Sequence, residues 1–134
     1  MSGPYRDTST VVGAKIDVVI VEDNEVFREA LEVLFGLTPD LRVVAAVADG
    51  GAAVEACRDL RPDVALVDYR LPGLDGVETT RAVLAACPGT AVVVLTAAAD
   101  APEIEALLAA GAVACLTKDR GMEEIVAAIR DAAR

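Results

Sequence analysis

Ile16-Asp17-Val18-Val19-Ile20-Val21 runs into Glu22-Asp23-Asn24 and then into Phe27, Ala30, Leu31 and Leu34, spaced i, i+3, i+4, i+7. An apolar run rich in β-branched residues fits a strand buried on both faces, and the spaced set is the apolar stripe of an amphipathic helix. The same alternation returns along the chain. Further apolar runs lie at Leu41–Ala48, Val64–Val67, Ala91–Leu95 and Val113–Leu116, and four of the five are continuous rather than alternating. Helical spacing recurs in Thr80, Val83, Leu84, Cys87; in Ile104, Leu107, Leu108, Gly111; and in Met122, Ile125, Val126, Ile129. Gly50–Arg61 is weaker, with Ala53, Cys57 and Leu60 on one face. Asp100, Pro102 and Glu103 read as an N-cap, an early-turn proline and an N3 glutamate. Pro39, Pro62 and Pro88 fall between segments, where a missing N–H costs least. The pattern is (βα)5, too few units for an eight-fold barrel. It predicts a three-layer α/β, doubly wound parallel sheet with right-handed crossovers and flavodoxin-like strand order 2-1-3-4-5.

The chain has 134 residues, a length that suits one domain, and 54% of them are apolar, enough for a core. The last helical pattern ends at about Ala132, so the domain is expected over residues 15–133. The polar, Gly/Ser/Thr-rich stretch 1–14 is expected to be a flexible leader. It has no apolar segment of a secretory signal, and no run approaches the roughly 20 apolar residues of a membrane span, so a soluble cytoplasmic protein is expected. Cys57, Cys87 and Cys115 are odd in number, far apart and set in apolar sequence, which predicts reduced thiols rather than a disulfide framework or metal site. Histidine is absent, which excludes a Ser–His–Asp triad, a His-ligated zinc and a phosphohistidine carried on this chain. A formal charge of −10 argues against a grip on nucleic-acid phosphates or an anionic membrane, both of which need basic patches.

Carboxylates, hydroxyls and lysine are left to do the chemistry. In an open parallel sheet, ligands bind beyond the carboxyl ends of the strands at the point where strand order reverses. Those ends carry Glu22-Asp23-Asn24 after strand one, Asp68 at strand three, Thr96 at strand four and Lys118 at strand five. Strands one and three flank the switch point, so Glu22, Asp23 and Asp68 should converge, with Thr96 and Lys118 beside them. Three carboxylates so close repel, and a hard divalent cation such as Mg²⁺, which takes oxygen ligands, resolves the conflict. Asp68, kept ionised, can act as a nucleophile toward phosphorus, while a lysine and a threonine hydroxyl bind the phosphoryl oxygens. The set reads as phosphoryl acceptance rather than hydrolysis of an organic substrate.

Val67-Asp68-Tyr69-Arg70-Leu71-Pro72-Gly73-Leu74-Asp75-Gly76 resembles the phosphoacceptor loop of response-regulator receiver domains, with proline four and glycine eight residues after the aspartate. Ile20-Val21-Glu22-Asp23-Asn24 resembles the family's acidic pocket, Leu95-Thr96-Ala97 its switch hydroxyl, and Leu116-Thr117-Lys118-Asp119 its lysine. The resemblance covers about residues 15–133. Val26-Phe27-Arg28-Glu29-Ala30-Leu31 and the stretch from Lys118 to Arg130 further resemble receivers that precede LuxR-type helix-turn-helix domains, which implies transcription regulation. It implies phosphorylation at Asp68; Mg²⁺ held by Asp23, Asp68, the backbone carbonyl of Arg70 and, through water, Glu22; and a phosphoryl group bound by Thr96 and Lys118, next to Ala97. The implied partner is a histidine kinase or phosphotransfer protein, with signalling through the strand-four, helix-four, strand-five, helix-five face and a homodimer as a further possibility. Such a domain is no enzyme beyond acting on its own phosphorylation. Two features depart from the pattern. Cys115 stands where many members have Tyr or Phe, so an aromatic-rotamer switch is unavailable. Arg70 is long and cationic, and it is expected to affect the dephosphorylation rate.

Singly, each residue has an ordinary explanation: a solvated acidic loop, a surface Lys118–Asp119 pair, turn-forming Pro72 and Gly76, a small core thiol at Cys115. Jointly, those explanations leave the four strand ends unaccounted for. A dinucleotide enzyme would need a glycine-rich first turn, an FMN site would be repelled by Glu22 and Asp23, and no P-loop is present. A haloacid-dehalogenase phosphatase needs an Asp two residues after its first-strand nucleophile, where Glu25 stands here. The alternative from another class is a pseudo-receiver that serves as a phosphorylation-independent interaction or dimerisation module.

Overall fold

The computed structural model describes residues 15–98 and 100–134; the leader expected at 1–14 lies outside the described residues. The sequence alternates throughout: β1 (Ile16–Val21), α1 (Glu25–Gly36), β2 (Leu41–Val47), α2 (Gly50–Leu60), β3 (Val64–Asp68), α3 (Gly76–Ala86), β4 (Ala91–Thr96), α4 (Ala101–Ala109), β5 (Ala114–Thr117) and α5 (Met122–Ala132). All strand pairs are parallel and the sheet order is β2-β1-β3-β4-β5. This is the predicted topology, with the reversal of order between β1 and β3. The β1–β2 register slips between Val18 and Val19, where a bulge interrupts the pairing.

Strand side chains alternate between faces, so a sheet covered on both sides needs two half-cores. Val18, Ile20, Val64, Leu66, Val93 and Leu95 pack on Leu31 and Phe35 of α1 and Ile125 and Ile129 of α5. Val19, Val21, Ala65, Val67, Val92 and Val94 pack on Ala53 and Cys57 of α2, Val83 of α3 and Cys87 just past its end, and Leu107 of α4. The continuous apolar runs follow directly from this arrangement.

Some helix faces differ from the sequence pattern. In α1 the inward residues are Leu31 and Phe35, whereas Ala30 and Leu34 face solvent. The larger Phe35 ring takes the core position, and the stripe runs i, i+4, i+8 from Phe27. Leu108 is half exposed, and Gly111 lies past the end of α4 in a turn with φ +112°, a conformation that favours glycine. Asp100 caps α4 by accepting from the Glu103 N–H at 2.9 Å, as its sequence predicts. All three cysteines are free, and burial pushes the Cys57 thiol up to about 11, which keeps it inert at neutral pH. No described helix is long and apolar enough to cross a membrane.

Candidate functional site

β3 and β4 each run one residue beyond the apolar stretch, so Asp68 and Thr96 are held inside the ladder rather than on a loose loop. Asp68 pairs in register with Leu95, and the next residue, Tyr69, donates its N–H to Leu95 O at 2.8 Å. Glu22 is fixed just past β1 by its own N–H to Val47 O, and Lys118 just past β5 by its N–H to Thr96 O at 2.7 Å. The ends of β1, β3 and β5 thereby deliver Glu22, Asp68 and Lys118 to one point, with the end of β4 and Thr96 lying between the last two in the sheet.

Glu22, Asp23 and Asp68 each offer a carboxylate oxygen within 4.8 Å of the others. Glu22 and Asp68 are buried, at 2% and 6% exposure, while Asp23 faces solvent. Lys118 Nζ lies 2.9 Å from Glu22 Oε1 and 3.3 Å from Asp68 Oδ2. Glu22 Oε2 accepts the Asn24 N–H at 3.0 Å, but Oε1 is buried with no aligned hydrogen bond. Burial, and then the charge of Glu22, push the Asp68 carboxyl up to about 6, with Lys118 pulling the other way. For Lys118 burial disfavours the charge, yet the two carboxylates outweigh it and raise the ammonium. Three clustered carboxylates, two of them buried, form an all-oxygen donor set, which fits a hard divalent cation and not a soft metal.

Arg70 reaches back through its backbone N–H to Asp68 Oδ1 at 3.4 Å, a long contact, while its residue is exposed. Thr96 is next to Asp68 by register, but its hydroxyl donates to Ala98 O at 2.9 Å, across the β4–α4 turn that contains the exposed Ala97. Cys115 is half-buried in β5 opposite Val94, on the α2–α4 side of the sheet, where burial and then Glu103 push its thiol up.

The loop after Asp68 is shaped by its feet. Gly73 sits at φ +82°, and Asp75 caps α3 through a capping box with Glu78, the two bonds measuring 2.9 and 3.1 Å. Gly76 donates its N–H to Tyr69 O at 2.7 Å, and a Cβ on Gly76 would stand 2.9 Å from Tyr69 Cα. Backbone cannot yield as a flexible side chain can. Gly76→Ala is therefore expected to lower stability by about 1–3 kcal/mol and to slow any reaction at Asp68, since Tyr69 must shift. A denaturant melt of the variant measures the first effect, and an unchanged midpoint contradicts the packing argument. Asp23, Tyr69, Arg70, Leu71, Pro72, Asp75 and Glu103 line a cleft of about 600 Å³ above this loop.

Three contributors escaped the sequence reading. Phe27, read there as part of a core stripe, has its ring centroid 4.8 Å from Lys118 Nζ. Arg28 donates from Nη1 to Glu22 O at 2.9 Å. Tyr69 lines the cleft with Glu103, and burial, followed by Glu103, raises its phenol. The one available signal was position: Phe27 and Arg28 lie in the first turns of a helix that begins immediately after the acidic pair.

The response regulator receiver domain model matches residues 18–130. The transcriptional regulatory protein NarL of Mycobacterium tuberculosis is 37% identical over 120 residues, covering 90% of this chain and 56% of that protein. Response regulator GacA of Pseudomonas aeruginosa is 36% identical over 115 residues, 86% of this chain and 54% of the relative. The chain thus spans about half the length of the curated relatives it matches. The solved signal receiver domain of Mycobacterium tuberculosis NarL superposes with a TM-score of 0.85 at 37% identity, covering 89% of this chain and 96% of that one. The receiver domain of the sensor histidine kinase PA1611 of Pseudomonas aeruginosa, solved with a magnesium ion coordinated in its active-site cleft, gives 0.79 at 32% identity, covering 90% and 98%. With the strand order, the acidic cluster and this match over most of the chain in agreement, the protein belongs to the receiver-domain family of two-component response regulators.

Proposed function

We propose that Asp68 accepts a phosphoryl group from a phosphohistidine on a partner histidine kinase or phosphotransfer protein. The observation that carries this reading is the buried Asp68 carboxylate at a strand end, 3.3 Å from Lys118 and clustered with two further acids. Asp23, Asp68 and the backbone carbonyl of Arg70, with Glu22 acting through water, would hold Mg²⁺. Bound there, the cation supplies positive charge that favours the ionised acids and offsets the charge of the phosphoryl oxygens.

The chain's own residues do the rest. Asp68 Oδ attacks phosphorus as the P–N bond of the phosphohistidine breaks, its electron pair returning to the imidazole ring. Lys118, shared at rest between Glu22 and Asp68, exchanges the Asp68 oxygen for a phosphoryl oxygen. Thr96 turns its hydroxyl from Ala98 O to the phosphoryl group, which frees the β4–α4 turn and alters the β4-α4-β5-α5 face. Cys115 is too small for an inward-swinging ring, so Thr96 carries that change without one. Arg70, exposed at the cleft, sets the rate at which water reaches the acyl phosphate. Catalysis is confined to the chain's own phosphorylation and dephosphorylation. A role in transcription regulation is supported by the likeness to the transcriptional regulatory protein NarL, about half of whose length this chain matches. The family match and the gathering of Glu22, Asp23, Asp68 and Lys118 favour this reading over the pseudo-receiver alternative.

The test uses acetyl phosphate as a small donor. With Mg²⁺ the protein is expected to gain the mass of one phosphoryl group, mapped to the Asp68 peptide, and without a divalent cation it is not; no gain refutes the proposal. For the metal site, Asp23→Ala is expected to weaken Mg²⁺-dependent beryllofluoride binding by about 10- to 100-fold, a range typical of lost metal-site partners. Equal affinity, measured by titration calorimetry, would contradict the assignment of Asp23.

A further inference from the structure

Lys118 faces three groups, and only two of them are acids. Its ammonium sits between Glu22 Oε1 at 2.9 Å and Asp68 Oδ2 at 3.3 Å, while the Phe27 ring lies under it with the centroid at 4.8 Å. The ring is well anchored. The Phe27 N–H donates to Asn24 Oδ1 at 2.9 Å, which fixes the first turn of α1, and the side chain packs on the α1–α5 half-core. The neighbouring Arg28 ties the same turn to Glu22 O.

From this geometry we infer that Phe27 is a positioning residue for Lys118, holding the ammonium over the acceptor by a cation–π contact. The inference rests on the proposed phosphoryl transfer to Asp68. The physical need is specific. A lysine stem has four rotatable carbons and loses up to about 2 kcal/mol of rotamer entropy when fixed. The carboxylates fix it at rest, but the Asp68 oxygen is the atom consumed in the reaction, so that anchor changes as phosphoryl arrives. An aromatic face attracts the cation through its quadrupole while remaining neutral, so it steadies Lys118 without competing for the charge the phosphoryl oxygens require. The ring stays in place while the anionic partner is exchanged.

Phe27→Leu keeps apolar bulk and removes the π face, while Phe27→Tyr keeps the face. Phosphoryl uptake from acetyl phosphate is expected to slow about three- to tenfold in the Leu variant and to recover to within about twofold in the Tyr variant, the span expected for a partly desolvated cation–π pair. Proton NMR supplies a readout that simple core packing does not move. The ring-current shift of the Lys118 ε-methylene protons is expected in wild type and Phe27→Tyr and lost in Phe27→Leu. Thermal melts check folding, and Phe27→Met replaces the Leu variant if that one melts early. A Leu or Met variant with wild-type uptake, or with the Lys118 shift retained, overturns the inference. Wild type that takes up no phosphoryl group overturns the parent reading and this one with it, whereas uptake by wild type alongside an indifferent Phe27 variant overturns this one alone.

Discussion

Asp68→Asn is expected to abolish phosphoryl uptake completely and, in the same molecule, to raise stability in metal-free buffer at neutral pH. The first effect follows because an amide oxygen is no nucleophile toward phosphorus, and Glu22, the other buried carboxylate beside Lys118, is already held by the Asn24 N–H and the Lys118 ammonium. The second follows from the position of the group. Burial and the nearby Glu22 charge push the Asp68 carboxyl up to about 6, whereas an unfolded aspartate titrates near about 3.9. Between those values the folded chain retains a proton that the unfolded chain has lost. Raising the pH through that window therefore lowers the stability of the wild type, and above about 6 the loss is complete. The isosteric Asn carries no such charge, so at pH 7 the variant should gain about 1–2 kcal/mol once the partial solvent access of the cluster is allowed for. Asp40, held low by Arg130, acts in the opposite sense, but it is common to both proteins and cancels in the difference. Mg²⁺ should stabilise the wild type more than the variant. Denaturant melts from pH 4 to 8 with intact-mass spectra test both halves. Residual acyl phosphate in the Asn protein would move the acceptor elsewhere, and identical pH profiles would remove the electrostatic argument.

Lys118→Met has the second large effect. The thioether preserves stem length and apolar packing, but it leaves Glu22 Oε1 and Asp68 Oδ2 without their cation. Breaking a buried ion pair by removing one partner costs about 3–5 kcal/mol, and the 27% exposure of the Lys118 side chain reduces the expectation to about 2–3 kcal/mol at pH 7. The loss should shrink below pH 6, because without the lysine Asp68 takes up its proton at a still higher pH. Phosphoryl uptake should fall by about 100-fold, the scale associated with deleting one preorganised charge donor at a reacting centre. A variant that melts with wild type at pH 7 would show that the pair is a surface ion pair in energetic terms, and an unchanged uptake rate would take Lys118 out of the reaction.

Much of this could be read from the chain because the fold obeys a two-faced rule. Parallel strands buried on both sides must be continuously apolar, so Val64–Val67 and Ala91–Leu95 announced themselves, and polar residues ending such runs had to lie at the sheet's carboxyl edge. The convergence of Glu22, Asp23, Asp68 and Lys118 followed from strand order alone. What was not legible depends on side-chain direction. Phe27 has the spacing of a core residue, and period counting cannot tell a ring that only fills volume from one that also faces an ammonium. The outward turn of Leu34 reflects competition with Phe35 for one core position, a packing outcome rather than a pattern. Thr96 was expected beside the acceptor, and it is there by register, but its bond to Ala98 O depends on a hydroxyl rotor that no sequence specifies.

The bond from Gly76 N–H to Tyr69 O clamps the foot of the loop that carries Arg70, Leu71, Pro72, Gly73 and Leu74. An arch with both feet pinned has a fixed span. Its crown can change chemistry at the exposed Arg70 and Pro72, but its contour cannot gain or lose a residue without unseating Tyr69 from β4 or Asp75 from the start of α3. Diversification of this loop therefore has to proceed by substitution rather than by insertion. A designer retuning the lifetime of the acyl phosphate faces the same limit: the alphabet is open at exposed positions such as 70 and 72 but tied to glycine at 73, and the number of letters is closed.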